Sequence, residues 1–145
     1  MASKVYPAGL KYLTDGTTSY TSDTIKIMLV NSSYTYSDSH DHVDDVSANE
    51  LSGTGYTGGF DGSGRKTLAS KTITVNSTHI EFDAADITWT GLNAGTIGGA
   101  ILIEEITNDA SSALLAFIDP TDLPTNGGDV TLVVNSGGFM QIANA

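Results

Sequence analysis

From Gly64 to its end the chain breaks into short apolar segments closed off by turn-forming residues, with no long amphipathic stretch between them. That spacing suits antiparallel strands, which need only a turn to connect them, whereas parallel strands need a helix-length crossover. Leu68 to Val75, with Ile73 and Val75 in phase, a turn at Asn76-Ser77, and Ile80 with Phe82 predict a hairpin. Ile87 and Trp89 alternate in the next segment, which places Trp89 in the core. Ile97 to Ile103 is a continuous apolar run bounded by Gly and by Glu104-Glu105, the pattern of a central strand covered on both faces. Asn108-Asp109, Asp119-Pro120 and Asn126-Gly127-Gly128 separate the remaining strands, Ala113 to Ile118, Val130 to Val134 and Phe139 to Ile142.

Upstream, Tyr6, Leu10 and Leu13 fall at helical spacing, Pro7 suits a first helical turn and Asp15-Gly16 a stop, so a short N-terminal helix is expected. Asp23 to Val30 alternates as a strand, with Ile25, Ile27 and Leu29 on one side and Lys26, Met28 and Val30 on the other. Between Asn31 and Gly64 the apolar period disappears, apart from Val43, Val46 and Leu51, and Asp41 to Val46 is spaced for a helical turn. So long an irregular segment reads as an arm or contact loop. The expectation is a mainly β fold, an antiparallel β-sandwich or open β-barrel of about seven or eight strands. It carries one short helix and a long arm over residues 31–64. At 145 residues a single domain spanning residues 1–145 is expected.

Charge narrows the partners. With 17 acidic against 6 basic residues, the formal charge of -11 repels phosphate backbones and anionic membranes, so neither nucleic acid nor a membrane is expected as partner. A basic protein surface fits better. There is no cysteine, so disulfides and thiolate chemistry are out of reach. Met1 to Pro7 lacks the apolar core of a signal peptide, and synthesis in the cytoplasm is expected. In that compartment the sequons at Asn31 and Asn76 carry no glycan.

Several motifs invite chemistry. Gly53-Thr54-Gly55-Tyr56-Thr57-Gly58 matches the dinucleotide fingerprint, but no apolar strand leads in and Gly59-Phe60-Asp61-Gly62-Ser63-Gly64 follows where a helix is required. No cofactor is expected. His40-Asp41-His42 with Asp44 and Asp45 concentrates metal-ligand types, yet it lacks the calcium-loop pattern and reads as a solvated acidic loop or a dock for a basic partner; no metal is expected. His79 sits opposite the apolar phase of its strand, and Asp83 and Asp86 suit backbone N–H bonding around a tight connection. No Ser lies in a nucleophile elbow, and an enzyme is not expected. Tyr34, Tyr36, Tyr56 and Phe60, the aromatics of the irregular segment, are candidate interface anchors.

The runs Asp23 to Val30, Ser32 to Thr35, Asp45 to Glu50, Leu51 to Gly59, Phe82 to Trp89 and Ala116 to Asp119, in that order, resemble a family of small tailed-phage virion structural proteins. Asp61 to Gly64 and the His40 to Asp45 loop depart from that pattern. The resemblance implies a capsid decoration or cement protein on the head surface of the virion. Its partner would be the major capsid protein, and it would form a homo-oligomer, a trimer by analogy with other decoration proteins. A receptor- or glycan-binding module of the tail or head fibre, and a tail-tube or neck component, are the alternatives it leaves open.

Overall fold

The computed structural model of the protein describes residues 3–143. Met1 and Ala2, from the amino-terminal run read above for a signal peptide, lie outside the described residues, as do Asn144 and Ala145. The elements run β1 (Lys4–Val5), α1 (Pro7–Asp15), β2 (Ile25–Asn31), β3 (Lys66–Thr67), β4 (Thr72–Val75), β5 (His79–Asp83), β6 (Ile87–Trp89), β7 (Thr96–Glu104), β8 (Ala113–Ile118), β9 (Leu123–Pro124), β10 (Val130–Leu132) and β11 (Met140–Ala143). The expected mainly β fold with one short helix is what the chain adopts. Hydrophobic period finds the longer strands; β1, β3 and β9 are two-residue edge pairings too short to show one.

Every pairing is antiparallel. The large sheet has the order β1-β8-β7-β2-β3, with β9 added to β7; β10 pairs β6, and a third sheet has the order β11-β5-β4. In β2 the alternation is realised as two faces. Ile25, Ile27 and Leu29 join Leu102, Ala100 and Leu115 in one apolar cluster, which also takes in Phe82 and Met140 of the third sheet and Ile87 and Trp89 of the second. Met28 and Val30 face the other way, in a cluster with Ile101, Ile103, Leu114 and Phe117. A register shift opposite Leu102 and Ile103 skips Leu115 on β8, so that Leu115 and Ala116 both serve the first cluster.

The second face is covered by the segment expected to be an arm. Val43 and Val46, at a pair of 3-10 turns over Val43–Asp45 and Ser47–Asn49, are fully buried against that face with Tyr6. Leu51 donates its backbone N–H to Leu29 (2.9 Å), and Val43 donates to Ser112 (2.9 Å). The 31–64 segment is irregular as expected, but it lies along the sheet as a strap and does not project from it. Val43 and Val46 seat on this apolar face, whereas Leu51 turns into the first cluster beside Leu29.

Helix α1 begins at Pro7, stops at Gly16 in the left-handed conformation (φ 84°), and lies so close to β8 that a Cβ on Gly9 would sit 2.3 Å from the Leu114 carbonyl oxygen. Among the described residues no helix is long and apolar enough to cross a membrane.

Candidate functional site

What holds the strap down is a charge cluster around Arg65. Its guanidinium side chain is fully buried and donates through Nε and Nη2 to the two oxygens of Glu50 (2.9 and 2.7 Å). Nη1 and Nη2 reach Asp109 (2.7 and 3.2 Å), and Nη1 lies 3.4 Å from Glu105, whose other oxygen takes the Lys26 ammonium. Burial works against the charge on Arg65, but the hydrogen bonds it donates to Glu50 and Asp109 outweigh it and raise its pKa. Glu50 also accepts from the Gly59 N–H (3.0 Å) and the Tyr56 hydroxyl (3.1 Å), so one carboxylate ties together the start and end of the Gly-rich run.

The Gly-rich run is folded around Tyr56. Gly53 and Tyr56 exchange backbone hydrogen bonds, and Gly55 between them is left-handed (φ 81°). A Cβ on Gly64 would lie 2.3 Å from the Tyr56 ring, so only glycine lets the chain pass over it. Trp89, in the core as expected, donates its indole N–H to the Gly64 carbonyl (2.7 Å). The glycines therefore serve close packing. Tyr56 is fully buried, its hydroxyl accepting from the Leu29 N–H (3.0 Å), and it presents no surface to a partner. Its candidacy as an interface anchor is corrected: the ring was needed to fill the space the glycines open.

The acidic loop spends its side chains locally. His40 Nδ1 meets the Tyr34 hydroxyl (3.0 Å), His42 Nδ1 meets Asp41 (2.7 Å), and Asp45 accepts from the Asp41 backbone N–H (2.9 Å). That backbone bond is the main reason the Asp45 carboxyl sits below its ordinary pKa. Asp83 accepts from the neighbouring Ala84 N–H (2.8 Å), as its turn position predicts, whereas Asp86 reaches across to Val134 (2.8 Å). His79 is half-buried and pairs with Glu81 (2.7 Å). At the end of β7, Thr18 donates to the buried Glu104 (2.5 Å). Burial raises the Glu104 pKa, the Thr18 bond lowers it in part, and Asp23 raises it further.

Tyr34 and Tyr36 do come together, in a cleft of about 430 Å³ that they line with Lys4, Phe117, Asp119 and Asp122. Tyr36 lies 6.2 Å from Phe117 in near-parallel orientation and 5.0 Å from Tyr6; Tyr34 meets Phe117 edge-on at 5.1 Å. The Tyr34 and Tyr6 hydroxyls are 2.7 Å apart, and Tyr36 donates to the Val5 carbonyl (3.2 Å), so the rings are held in place. Burial first, then the Asp38 carboxylate, pushes the Tyr36 phenol up to about 12, so it is neutral at physiological pH. Phe60 is half-buried and lies apart from this cleft. Sequence reasoning missed Arg65, Lys4, Phe117, Asp119 and Asp122. For Arg65 there was a signal, since it is the chain's single arginine among 17 carboxylates. Lys4 and the two aspartates carry no pattern that would single them out.

Five of the six basic residues are engaged within the chain. Arg65 and Lys26 are in the buried cluster, Lys11 pairs with Asp15, Lys71 donates to the Asp23 carbonyl and Lys4 lies over Tyr36. The outward surface is left to carboxylates, with Asp38, Asp44, Asp45, Asp61, Asp86, Asp122 and Asp129 all exposed. Fold and surface define a mainly antiparallel β protein with an acidic exterior and an aromatic cleft. No family model matches the chain, and no match is found among the curated proteins or the solved structures.

Proposed function

We propose that this chain is a phage virion structural protein that decorates the outside of the assembled head, bound to the major capsid protein and flanked by further copies of itself. One structural observation supports this most, the overhang of the third sheet. Ile73, Phe82 and Met140 form one cross-strand row on its inner side, and Val75, Ile80 and Ile142 the next. The first row runs from the core out to Ile73, 45% exposed; the second ends at Val75, 78% exposed, on edge strand β4. An uncharged edge strand with apolar side chains invites pairing. No carboxylate lies between Asp61 and Glu81, so edge strand β4 is where a second copy can approach despite the charge of -11. The acidic remainder suits a basic lattice.

The mechanism is physical. Many copies bind across seams of the assembled shell and bind loose capsid subunits poorly, so the assembled state gains stability by mass action. The order of the sequence runs, which resembles that of small tailed-phage virion structural proteins, supports this reading. Cryo-electron microscopy of virions carrying this chain tests it. The expected result is regular density over the whole head; a few copies at a single vertex or along the tail would overturn it and favour an adsorption or neck component.

A further inference from the structure

We propose that the cleft between β1 and the 31–64 strap receives a lysine or arginine side chain presented by the protein partner, and that Lys4 occupies it in the free chain. The Lys4 ammonium lies 4.8 Å from the centre of the Tyr36 ring, within the range at which a ring face attracts a cation. It is held there by the ring alone, since none of the ion pairs of Lys or Arg among the described residues includes it. Asp119 and Asp122 line the same cleft, so a cation that reached both rings and carboxylates would gain what Lys4, tethered to its edge strand, does not.

The cleft is built for this shape. Lys4 pairs with Phe117 across β1 and β8, which puts both side chains on one face of the sheet. A Cβ on Gly99 would stand 2.4 Å from the Phe117 ring, and one on Gly98 would stand 2.5 Å from the Asn31 carbonyl oxygen. The glycine pair therefore lets Phe117 lie down against β7 and the strap cross close by. A saccharide is a poorer fit, because it needs a free ring face: Phe117 is only 6% exposed and the Tyr36 face is spanned by Lys4.

The guest comes from a different protein and not from a second copy. Of the six Lys and Arg residues, five already have partners within the chain, and among the described residues Lys66 is the one of the six whose side chain has no ion pair, hydrogen bond or ring contact and is left to offer a copy. A partner rich in Lys and Arg has many. Among the described residues no strand pairs with the outer edge of β1, so a partner segment can approach along it and place a side chain in the cleft. This names the recognition chemistry of the decoration contact and rests on that reading for the identity of the partner; cation binding is measurable on the isolated chain.

The test is an NMR titration of the full chain with N-acetyl-lysine methylamide and its arginine counterpart, using the norleucine analogue as the uncharged control. Saturable shifts at the Tyr34 and Tyr36 rings and at Asp119 and Asp122, with the two cations only, are expected. Lys4→Ala vacates the ring and tightens binding about two- to fivefold. Asp119→Asn with Asp122→Asn, both away from the core, weakens it about two- to fivefold. An equal response to norleucine, no saturable response, or weaker binding by Lys4→Ala overturns the proposal. A chain that coats heads yet ignores both cations overturns the cleft proposal alone. Cation binding by a chain found only at one vertex overturns the decoration reading alone.

Discussion

On one face of the large sheet Ile27, Leu29 and Leu102 meet Phe82, Ile87 and Trp89, side chains delivered by other strands. On the opposite face Met28, Ile101 and Ile103 meet Val43 and Val46, delivered by 3-10 turns in a segment with no strand. Both faces are equally dry, with Ile27, Ile101, Val43 and Val46 all at 0% exposure. Strands bring their apolar residues in register, so the first face is closed by many contacts of one kind. The strap brings few, and it relies on fixed polar anchors: Glu50 on Arg65, Leu51 on Leu29, Val43 on Ser112. A sheet face can thus be covered by irregular chain, provided buried charge fastens the cover.

Removing the fastening should separate the two faces most clearly. Arg65→Ala leaves the carboxylates of Glu50, Glu105 and Asp109 facing one another with the guanidinium gone, and should cost about 3–5 kcal/mol. Denaturant unfolding measures the loss, and the strap should loosen at lower denaturant than the strand-covered face. Tyr56→Phe removes a hydroxyl that serves both Leu29 and Glu50; the ring still fills its place, and about 1–3 kcal/mol is expected by the same measurement.

Glu104 gives a smaller effect with a defined sign. Its folded pKa is raised, so the folded chain holds this proton more tightly than the unfolded chain. The stability tied to that proton is complete below the ordinary value of 4.5 and is lost as pH rises through the raised folded pKa. Glu104→Gln keeps an acceptor for Thr18 and should raise Tm at neutral pH by less than Tyr56→Phe lowers it. The gain should shrink and vanish below pH 4.5, as thermal melts across pH will show. Smallest in stability is Val75→Thr on the overhanging hairpin, within about 0.5 kcal/mol of the parent. Its effect should appear in sedimentation instead, as a shift from oligomer to monomer at high concentration.

The first face was legible in the sequence and the second was not, for a physical reason. Strand period reports a residue's side of a sheet, so Ile25 to Val30, Ile97 to Ile103 and Ala113 to Ile118 announce themselves. Val43 and Val46 are visible as apolar residues, but nothing in their spacing says that the surface they cover is the back of β2 and β7, or that Leu51 joins the opposite cluster. The Gly-rich run was readable as turns and close contacts, yet Tyr56 beneath it could be placed only once Gly64 and Trp89 were known to close over it. Of the candidate interface residues, Tyr34 and Tyr36 share a cleft because Phe117, from a strand read correctly but with no side chain singled out, completes it. Arg65 escaped because burial of a lone guanidinium depends on carboxylates at positions 50, 105 and 109, which no local pattern connects.

Whether residues 31–64 are part of the folded body or a free arm is decided most directly by native-state hydrogen exchange at Val46 and Leu51, whose amides bond to Val43 and Leu29. If the strap is body, both exchange only with the slow, global opening that also exposes Leu102, and Arg65→Ala releases them first. Exchange at Val46 and Leu51 at the rate of an unprotected loop, with Leu102 still protected, would contradict it.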